Sequence, residues 1–433
     1  MNTWTNAFKG YLNPAVLLFL FLGFSCGVPY NLLGSTLTVW LKEGMTSTPV
    51  IGLFALVLIP YNFKFLWAPF IDHIAIPFLT KRLGQKKSWG VLFQIGLVVS
   101  IIGLAFSDPA HNRWTYRFTV EINNHTVENV LPLQTFLWAF LTAFFAASQD
   151  IVVDALRVDT LTKEELGEGA SLYQYGYRMG MLLSGAGVLA LSTRLSWAGA
   201  YTLTAFFVFI GLLSLLFVKN VSEKKKKAEG VRIFTSAFKD FFARHKNWII
   251  ILAFIVSYKF CNALLGKMAG VFYKEMNFTN DEIALISGSI GPIVTMLGVA
   301  VGGVLVARFS VLKCLFYLGL VECLTSLAFA LFYCVGNSLP FFILVIVFDN
   351  IVGGMGGSVF VAYLSGLCNR QYSATQYALL SSLMALAISF AASTSGFWVE
   401  MMGWYEFFIM TGFLMVPALI LLIRIMKNER RVS

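Results

Sequence analysis

Apolar stretches of membrane-spanning length recur along the whole chain, with short polar segments between them. A helix of about 20 apolar residues crosses the hydrocarbon core of a bilayer. The pattern therefore predicts twelve transmembrane helices in two sets of six. The first set covers residues 14–38, 48–70, 88–106, 131–153, 168–192 and 199–218, and the second covers 247–270, 283–306, 311–334, 338–366, 375–397 and 404–426.

The most polar stretch of the chain, Lys219 to Lys246, lies between the two sets and contains the lysine run 224–227. We interpret it as a solvated linker that helps to fix the topology, in preference to a site for nucleic acid or lipid. The predicted organisation is an N-terminal six-helix half (1–218), a basic cytoplasmic linker (219–246) and a C-terminal six-helix half (247–433).

The positions of lysine and arginine predict the orientation. With both termini in the cytoplasm, 23 of the 32 basic residues fall in inner segments and 5 in outer segments. Basic residues accumulate on the cytoplasmic side of membrane proteins. The net charge of +10 is therefore explained by membrane insertion, and it indicates no nucleic-acid partner.

Composition is that of an integral membrane protein, with 58% hydrophobic and 12% charged residues and a mean hydropathy of +0.75. The four histidines lack the spacing of a zinc site, and the six cysteines lie singly in or beside apolar runs. We expect no disulfide framework, no metal site and no cofactor. A membrane enzyme would be expected to show a polar catalytic loop, so the sequence favours a non-enzyme.

Six plus six helices joined by a long inner linker is the plan of the major facilitator superfamily, whose halves rock about a central site. The loop motif of that superfamily, an acidic residue followed by basic residues, is present only as Asp72 and the segment 81–87. This motif is weak by itself. The predicted fold is an all-α membrane protein of this superfamily with twelve spans.

Four charged residues lie near the middle of predicted spans: Arg178, Lys259, Glu322 and Asp349. Each costs roughly 2.5 kcal/mol or more in a helix that faces lipid, so we expect them to face inward and to pair or to line water. The alternative is a set of static ion pairs between helices, which we favour most for Glu322. Asp349 is the strongest candidate because Asn350 and a glycine-rich turn of helix follow it.

The fourth predicted span ends in a cluster of charges. Asp150, Asp154 and Arg157 are spaced to share one helix face, and Asp159 follows them. The cluster is interpreted as a proton relay, a latch between helices or a solvated helix end, with Asp154 and Asp159 expected at the interface. Lys64 in the second span is expected to pair with Asp150 or to extend toward the cytoplasm.

The fifth span carries tyrosines beside Arg178, among them Tyr177. Tyrosine and arginine together suit a ligand that bears sugars or a peptide, through hydroxyl hydrogen bonds and ring stacking. Core packing is the alternative explanation for most of these rings.

Three stretches of the chain make it similar to the AmpG permease family, within the peptide and acetyl-coenzyme A transporter group of the major facilitator superfamily. They are residues 60–72 (PYNFKFLWAPFID), residues 148–181, which begin with SQD and end with GYRMGM, and residues 349–381, which begin with DNIVGGMG and end with SATQYALLS.

The resemblance implies a bacterial inner-membrane symporter that imports anhydro-muropeptides, which are sugar-peptide fragments of the cell wall, from periplasm to cytoplasm with protons. Carried over by position, it implies functional roles for Lys64, Asp72, Gln149, Asp150, Asp154, Arg178 and Asp349. Lys259, Lys267, Tyr177 and Asn350 are added as substrate-binding candidates because they could meet carboxylates and hydroxyls.

Two groups of candidates follow. For proton coupling or gating they are Asp349, Asp150, Asp154, Asp72 and Lys64, and for substrate binding they are Arg178, Lys259, Lys267, Tyr177, Gln149 and Asn350. The alternative functions are a carrier of acetyl-coenzyme A or another anionic metabolite and, with less support, a membrane receptor or enzyme. The expected partners are the sugar-peptide substrate, protons and the lipid bilayer, with the protein acting as a monomer.

Overall fold

The computed structural model of the protein describes residues 10–44, 46–122, 125–162, 164–219 and 232–430. Within these ranges ten helices are long and apolar enough to cross a membrane. One of them, Leu166–Phe217, has 52 residues and contains two of the predicted spans, while the shorter apolar helix Val50–Leu66 falls in the second predicted span. All twelve predicted spans thus coincide with helical segments.

The helices of the N-terminal part are α1 (Pro14–Asn31), α2 (Leu37–Glu43), α3 (Thr48–Leu53), α4 (Ile59–Phe63), α5 (Ala68–His73), α6 (Leu79–Leu83), α7 (Gln85–Ala105), α8 (Leu133–Thr160), α9 (Leu166–Leu182) and α10 (Val188–Phe217). Those that follow are α11 (Arg232–Arg244), α12 (Trp248–Glu275), α13 (Asn280–Leu285), α14 (Gly291–Arg308), α15 (Val311–Val335), α16 (Leu339–Leu367), α17 (Ser373–Met402) and α18 (Trp404–Arg430). Wide π turns at Leu32–Thr36, Leu183–Gly187 and Ile286–Ile290 and 3₁₀ turns at Phe54–Leu58, Lys64–Leu66 and Arg370–Tyr372 connect some of them.

The second span is broken where its prolines fall. Pro60 and Pro69 each lie in the first turn of a new short helix, α4 and α5. Proline lacks a backbone N–H and its ring clashes with the preceding turn, so it is tolerated at a helix start and not in the interior. The break leaves Lys64 in a 3₁₀ turn with its side chain buried.

Glycines let two helices of the first half touch through their backbones. A Cβ atom at Gly23 or Gly27 of α1 would overlap the carbonyl oxygens of Tyr173 or Tyr177 in α9. A Cβ atom at Gly176 of α9 would overlap the carbonyl oxygen of Leu20. Small residues four apart allow this approach in membrane helices. The packing therefore fixes α9, and the Arg178 that it carries, directly against the first span.

The segment predicted as a solvated linker contains a helix, α11, in its second half. Phe241 of this helix is fully buried and belongs to the apolar core of the C-terminal helices. The helix is amphipathic, with one apolar face packed on the bundle. The lysine run 224–227 lies outside the described residues. The exact bounds of the linker and of the two halves stay a prediction.

A β-hairpin, which was not predicted, lies between α7 and α8. Its strands β1 (Thr115–Ile122) and β2 (His125–Pro132) pair antiparallel. The sequence carries a partial signal for it, since polar and apolar residues alternate over residues 115–122 and Asn123 and Asn124 follow as turn residues. The hairpin is held to the bundle by a hydrogen bond of 2.6 Å between Ser47 Oγ and Asn129 Oδ1.

Candidate functional site

A cavity of about 410 Å³ lies between the two sets of helices. The structure brings together in its wall all four of the charged residues that lie midway along predicted spans. Its lining residues are Gln174 and Arg178 of α9, Lys259, Asn262, Ala263, Leu265 and Gly266 of α12, Thr295 of α14, Glu322, Thr325 and Ser326 of α15, Asp349, Asn350, Gly353, Gly357, Phe360 and Val361 of α16, and Met384 and Ile388 of α17.

The two cations of the cavity come from opposite halves, and neither forms a salt bridge among the described residues. Neither Arg178 nor Lys259 has a carboxylate oxygen within 4.0 Å in the described part of the chain. The Lys259 ammonium lies 4.5 Å from the ring centre of Phe360, at the distance of a cation–π contact. Two cations that make no direct salt bridge in a polar cavity can form a site for an anionic group.

Two carboxylates line the same cavity. The Glu322 side chain is buried, and neither of its carboxylate oxygens has a hydrogen-bond partner in the described residues. Asp349 is half-buried beside the Thr325 hydroxyl. With two positive and two negative side chains the cavity carries mixed charge. It is not the densely cationic pocket that a nucleotide carrier would need.

Asn350 lines the cavity but is partly engaged by its neighbours. Its carbonyl oxygen accepts a hydrogen bond of 2.7 Å from the Thr295 hydroxyl, and its amide donates one of 2.9 Å to the Ile346 carbonyl oxygen. An amide has two N–H groups and can accept more than one bond. The second N–H and the remaining lone pair can meet a ligand hydroxyl.

The other substrate-binding candidates lie elsewhere. Lys267 is exposed and outside the set of lining residues. Tyr177 lies in a group of rings, 6.2 Å from Tyr30 and 6.1 Å from Tyr173 between ring centres. Gln149 is buried, and its amide donates a hydrogen bond of 3.0 Å to the Ser25 hydroxyl. These contacts fit helix packing at least as well as ligand binding.

On the predicted cytoplasmic side, a buried cluster joins the halves; we call it the inner lock and define it as Asp72, Lys86, Asp159, Ser373 and Thr375. Lys86 Nζ lies 2.5 Å from Asp159 Oδ2 and 3.7 Å from Asp72 Oδ1, and it donates a 2.7 Å bond to Ser373 Oγ. Ser373 Oγ in turn donates to Asp159 Oδ1 at 2.8 Å.

Asp72 also caps a helix of the opposite half. One of its oxygens accepts the backbone N–H of Thr375 at 2.8 Å and the Thr375 hydroxyl at 2.7 Å, while the other accepts the N–H of Ala374 at 3.3 Å. These N–H groups belong to the first turn of α17, where helices lack internal partners and favour negative charge. The carboxylate therefore ties the end of the second span to the start of the eleventh.

A second buried group surrounds Arg157, whose side chain is fully buried. It donates a 2.8 Å bond to Asp154 and a 3.3 Å bond to the hydroxyl of Ser365 in the other half. Its guanidinium carbon lies 4.7 Å and 5.1 Å from the ring centres of Tyr173 and Tyr377, which belong to different halves. Arg157 is thus a contact between the halves that the candidate list omitted.

The structure contradicts two interpretations of the fourth span. Asp154 and Asp159 do not form a solvated helix end, because each is buried in an ion pair with a cation, while their depth in the membrane stays a prediction. The carboxylate within 4.0 Å of Lys64 is that of Asp154, at 3.9 Å, and not that of Asp150. One oxygen of Asp150 has no hydrogen-bond partner in the described residues, and the Cys26 thiol lies beside this carboxylate.

Lys86 is the clearest residue that sequence reasoning missed. It stands in the basic segment 81–87, which was interpreted as the loop motif of the superfamily and as charge that fixes orientation, and it was not named as a site residue. The structure buries it in the inner lock with 4% of its surface exposed. Its neighbours in the sequence give no sign of this burial, since its partners are contributed by distant segments.

The linker helix α11 adds a polar cluster at the same end of the molecule. Asp240 accepts hydrogen bonds from Arg244 at 2.9 Å, from Gln376 at 2.9 Å and from Asn369 at 3.1 Å. Partial burial acts to raise the pKa of Asp240, but these hydrogen bonds outweigh it and hold the pKa below its usual value. The ionised carboxylate thus helps to dock the linker helix on α17.

Among the described residues, the direct bonds between the halves lie in the cavity wall and between the cavity and the end of the bundle that carries the inner lock. Besides the inner lock and Arg157, Ser171 Oγ donates to the Val299 carbonyl oxygen at 2.7 Å and Gln174 Nε2 to that of Gly357 at 3.1 Å. A bundle joined at one end around a polar central cavity is the architecture of an alternating-access carrier. The fold and the cavity define the class of the protein, a multi-pass membrane transporter.

Comparison with known proteins assigns this transporter to a family. The model of the Major Facilitator Superfamily matches residues 19–332. The putative transporter AmpG 4 of Rickettsia conorii is 34% identical over 96% of this chain and 97% of its own length. The anhydromuropeptide permease of Escherichia coli strain K12 is 33% identical over 95% of this chain and 80% of its own. The chain therefore belongs to the AmpG transporters of the major facilitator superfamily.

Solved structures support the same fold at much lower identity. The proton:xylose symporter XylE matches with a TM-score of 0.62 at 16% identity, over 96% of this chain and 95% of that protein. The transporter FucP matches with a TM-score of 0.66 at 13% identity, over 95% of this chain and 98% of FucP. The predicted superfamily and the prediction of a transporter and not an enzyme are confirmed.

Proposed function

We propose that the protein imports anhydro-muropeptides from the periplasm to the cytoplasm together with protons. The observation that carries the proposal is the meeting of Arg178 and Lys259, from opposite halves, in one polar cavity, with no carboxylate oxygen within 4.0 Å of either among the described residues. A muropeptide offers carboxylates to these cations. Its hydroxyls suit Asn350 and the other uncharged polar groups of the wall.

The relationship to AmpG transporters supports this substrate, since the Escherichia coli relative is named an anhydromuropeptide permease. The cavity volume of about 410 Å³ lies within the usual range for small-molecule sites. The mixed charge of the wall favours a zwitterionic or weakly anionic sugar-peptide over acetyl-coenzyme A, which carries several phosphates.

For proton coupling we propose Asp349 first and Asp150 second. A coupling carboxylate must bind its proton differently in the two states of the carrier, because only a difference in affinity shifts an equilibrium. The support for Asp349 is its place in the cavity wall, and the proposal requires its access to water to change with the state. Asp150 lies deeper, beside the contacts that close the inner side.

The direct test is uptake of radiolabelled anhydro-muropeptide into proteoliposomes, with and without an inward proton gradient. Saturable uptake that an uncoupler abolishes is the expected result. Arg178→Gln and Lys259→Gln should each weaken binding about 10- to 100-fold, the effect of losing one charged hydrogen bond. Lys313→Gln, an exposed charge remote from the cavity, is the matched control.

Asp349→Asn should abolish proton-driven accumulation, and accumulation equal to that of the wild type would reject its role. Uptake of acetyl-coenzyme A in place of muropeptide by folded protein would reject the substrate and favour the alternative carrier.

We also propose that the protein works as a monomer in the bacterial inner membrane with both termini in the cytoplasm. The distribution of 23 inner and 5 outer basic residues supports this orientation. A reporter enzyme that is active only in the periplasm should be inactive when fused after Ser433. Activity of that fusion would place the C-terminus in the periplasm and would contradict the proposed orientation.

A further inference from the structure

The carboxylate of Glu322 is buried in the cavity wall, where the Asn262 and Tyr258 side chains lie beside it. Its exposed fraction is 4%, and neither oxygen is bonded to another described residue. A buried carboxylate with neither a salt bridge nor a well-formed hydrogen bond is costly, and an ionisable residue inside a membrane bundle is by default a candidate for a functional role. The sequence alone favoured a static ion pair for this residue, but the structure shows no salt bridge within 4.0 Å of it among the described residues.

The neighbouring helix makes room for this side chain. A Cβ atom at Gly356 of α16 would lie 2.6 Å from Glu322 Oε1 and 3.9 Å from the Tyr258 hydroxyl. The first distance is shorter than any real contact of that kind, so alanine would displace the carboxylate. Gly356 belongs to the glycine-rich turn that follows Asp349, and its position explains one glycine of that motif.

The charged and titratable groups around Glu322 come from three helices. From α12 they are Tyr258, Lys259 and Cys261, from α16 Asp349, and from α15 itself Cys323. The last span, α18, meets α15 with apolar surface such as Leu419. Lys259 is the one cation in this group, and Arg178 faces it across the cavity.

We propose that Glu322 is the internal counter-charge of Lys259 and that it takes up a proton when an anionic group of the substrate replaces it. In the empty cavity the charge of Lys259 is balanced by the Glu322 carboxylate. A substrate carboxylate that binds Lys259 meets the negative charge of Glu322, and protonation of Glu322 removes that repulsion. This inference rests on the proposed function and deepens it.

The proton balance is simple. One proton passes from outer water through the open cavity to a Glu322 oxygen, which becomes a neutral carboxylic acid, while the substrate carboxylate forms an ion pair with Lys259. No covalent bond between heavy atoms is made or broken. When the substrate leaves on the inner side, the ion pair is lost and the proton is released.

The Thr325 side chain lies between the backbone of Glu322 and the carboxylate of Asp349. Its hydroxyl donates a 2.9 Å bond to the Glu322 backbone carbonyl oxygen, and the same side chain lies against the Asp349 carboxylate. The Thr325 bond is to the backbone of Glu322, and the Asp349 carboxylate acts on the Glu322 carboxylate through charge repulsion. The two carboxylates have separate tasks in this scheme, since Glu322 links the proton to substrate binding and Asp349 passes it onward.

The test is the pH dependence of muropeptide binding to purified protein, measured by calorimetry between pH 5.5 and 8. Uptake of one proton on binding makes the dissociation constant fall by up to about tenfold for each unit of decreasing pH. We expect this slope in the wild type and a flat profile in Glu322→Gln, which keeps the shape and removes the charge. Gly356→Ala, which displaces the carboxylate, should reduce the slope.

Three comparisons make the test decisive. Glu400→Gln, which alters an exposed carboxylate of α17, should keep the wild-type slope. Asp349→Asn should also keep the slope of binding although it fails to accumulate substrate. A wild-type slope in Glu322→Gln would overturn the inference, as would a slope that vanishes in Asp349→Asn and persists in Glu322→Gln.

The failure of the inference is distinguishable from failure of the proposed function. If the wild type binds no muropeptide, the substrate assignment is wrong. If it binds and accumulates muropeptide with protons while Glu322→Gln behaves identically, only the role of Glu322 is wrong. Thermal unfolding of each variant, followed by tryptophan fluorescence, identifies any variant that has lost its fold.

Discussion

Replacing Asp72 with asparagine should open the inner side of the transporter. The aspartate side chain is fully buried and accepts three hydrogen bonds from Ala374 and Thr375 at the start of α17. Asparagine keeps a single carbonyl oxygen as acceptor, and its amide group cannot accept the bonds made by the other oxygen. The change also removes the negative charge that faces Lys86 and the amino end of the helix.

The expected size of the effect follows from these bonds. Hydrogen bonds to a charged group contribute about 1.5–3 kcal/mol each and neutral ones about 0.5–1.5 kcal/mol, so the substitution should cost the closed state about 2 kcal/mol. Because 1.4 kcal/mol corresponds to a factor of ten, the population that is open on the inner side should rise about 30-fold.

A native cysteine can report this opening. Cys368 follows α16 at the end of the bundle that carries the inner lock, is half-buried, and lies near Asp154, Arg157 and Asp72. Its rate of alkylation in inverted membrane vesicles, measured for its own peptide by mass spectrometry, should increase by a similar factor in Asp72→Asn. Cys334, exposed near the opposite end of α15, serves as the internal reference.

The control for this experiment is Asp108→Asn, which changes an aspartate that is half exposed in the outer loop. It should leave the alkylation of Cys368 as in the wild type. A Cys368 rate in Asp72→Asn within twofold of the wild-type rate, with an unchanged reference, would refute the idea that Asp72 holds the halves together.

Three further outcomes are expected. Arg157→Leu leaves Asp154 with only the longer contact to Lys64 and should lower stability by about 3–5 kcal/mol, seen as a lower midpoint of thermal unfolding. Gly176→Ala forces a methyl group into the backbone of α1 and should reduce the yield of folded protein, measured by fluorescence-detected gel filtration. Since the pKa of Asp240 is lowered, its contribution to linker docking should be complete above about pH 4, the usual value, and be lost as pH falls through the lowered value. Trp248 fluorescence should report that transition in the wild type and not in Asp240→Asn.

The spans could be predicted from the sequence because each depends on local composition alone. The apolar length that crosses a bilayer is a property of about 20 consecutive residues. The break of the second span at Pro60 and Pro69 also has a local cause. The helix α11 and the β-hairpin were missed because their patterns are short and lie inside segments interpreted as connections.

Part of the cavity wall could also be predicted, because the depth of a residue within a span follows from the local sequence. Depth within a span identified Arg178, Lys259, Glu322 and Asp349, and the structure places all four in one wall. The inner lock could not be derived in this way, because Lys86 meets Ser373 across 287 positions of sequence. Whether a charge after a span is solvated or buried depends on which distant segment packs over it.

The glycine contacts between α1 and α9 limit how the protein can move. Where two backbones touch along several turns, neither helix can bend or slide without a steric clash. The two helices α1 and α9 therefore behave as one rigid body, and Arg178 is part of it. A change of access at the cavity must therefore displace this arginine with the first span as a unit, so that a label on α1 reports the motion of the binding site itself.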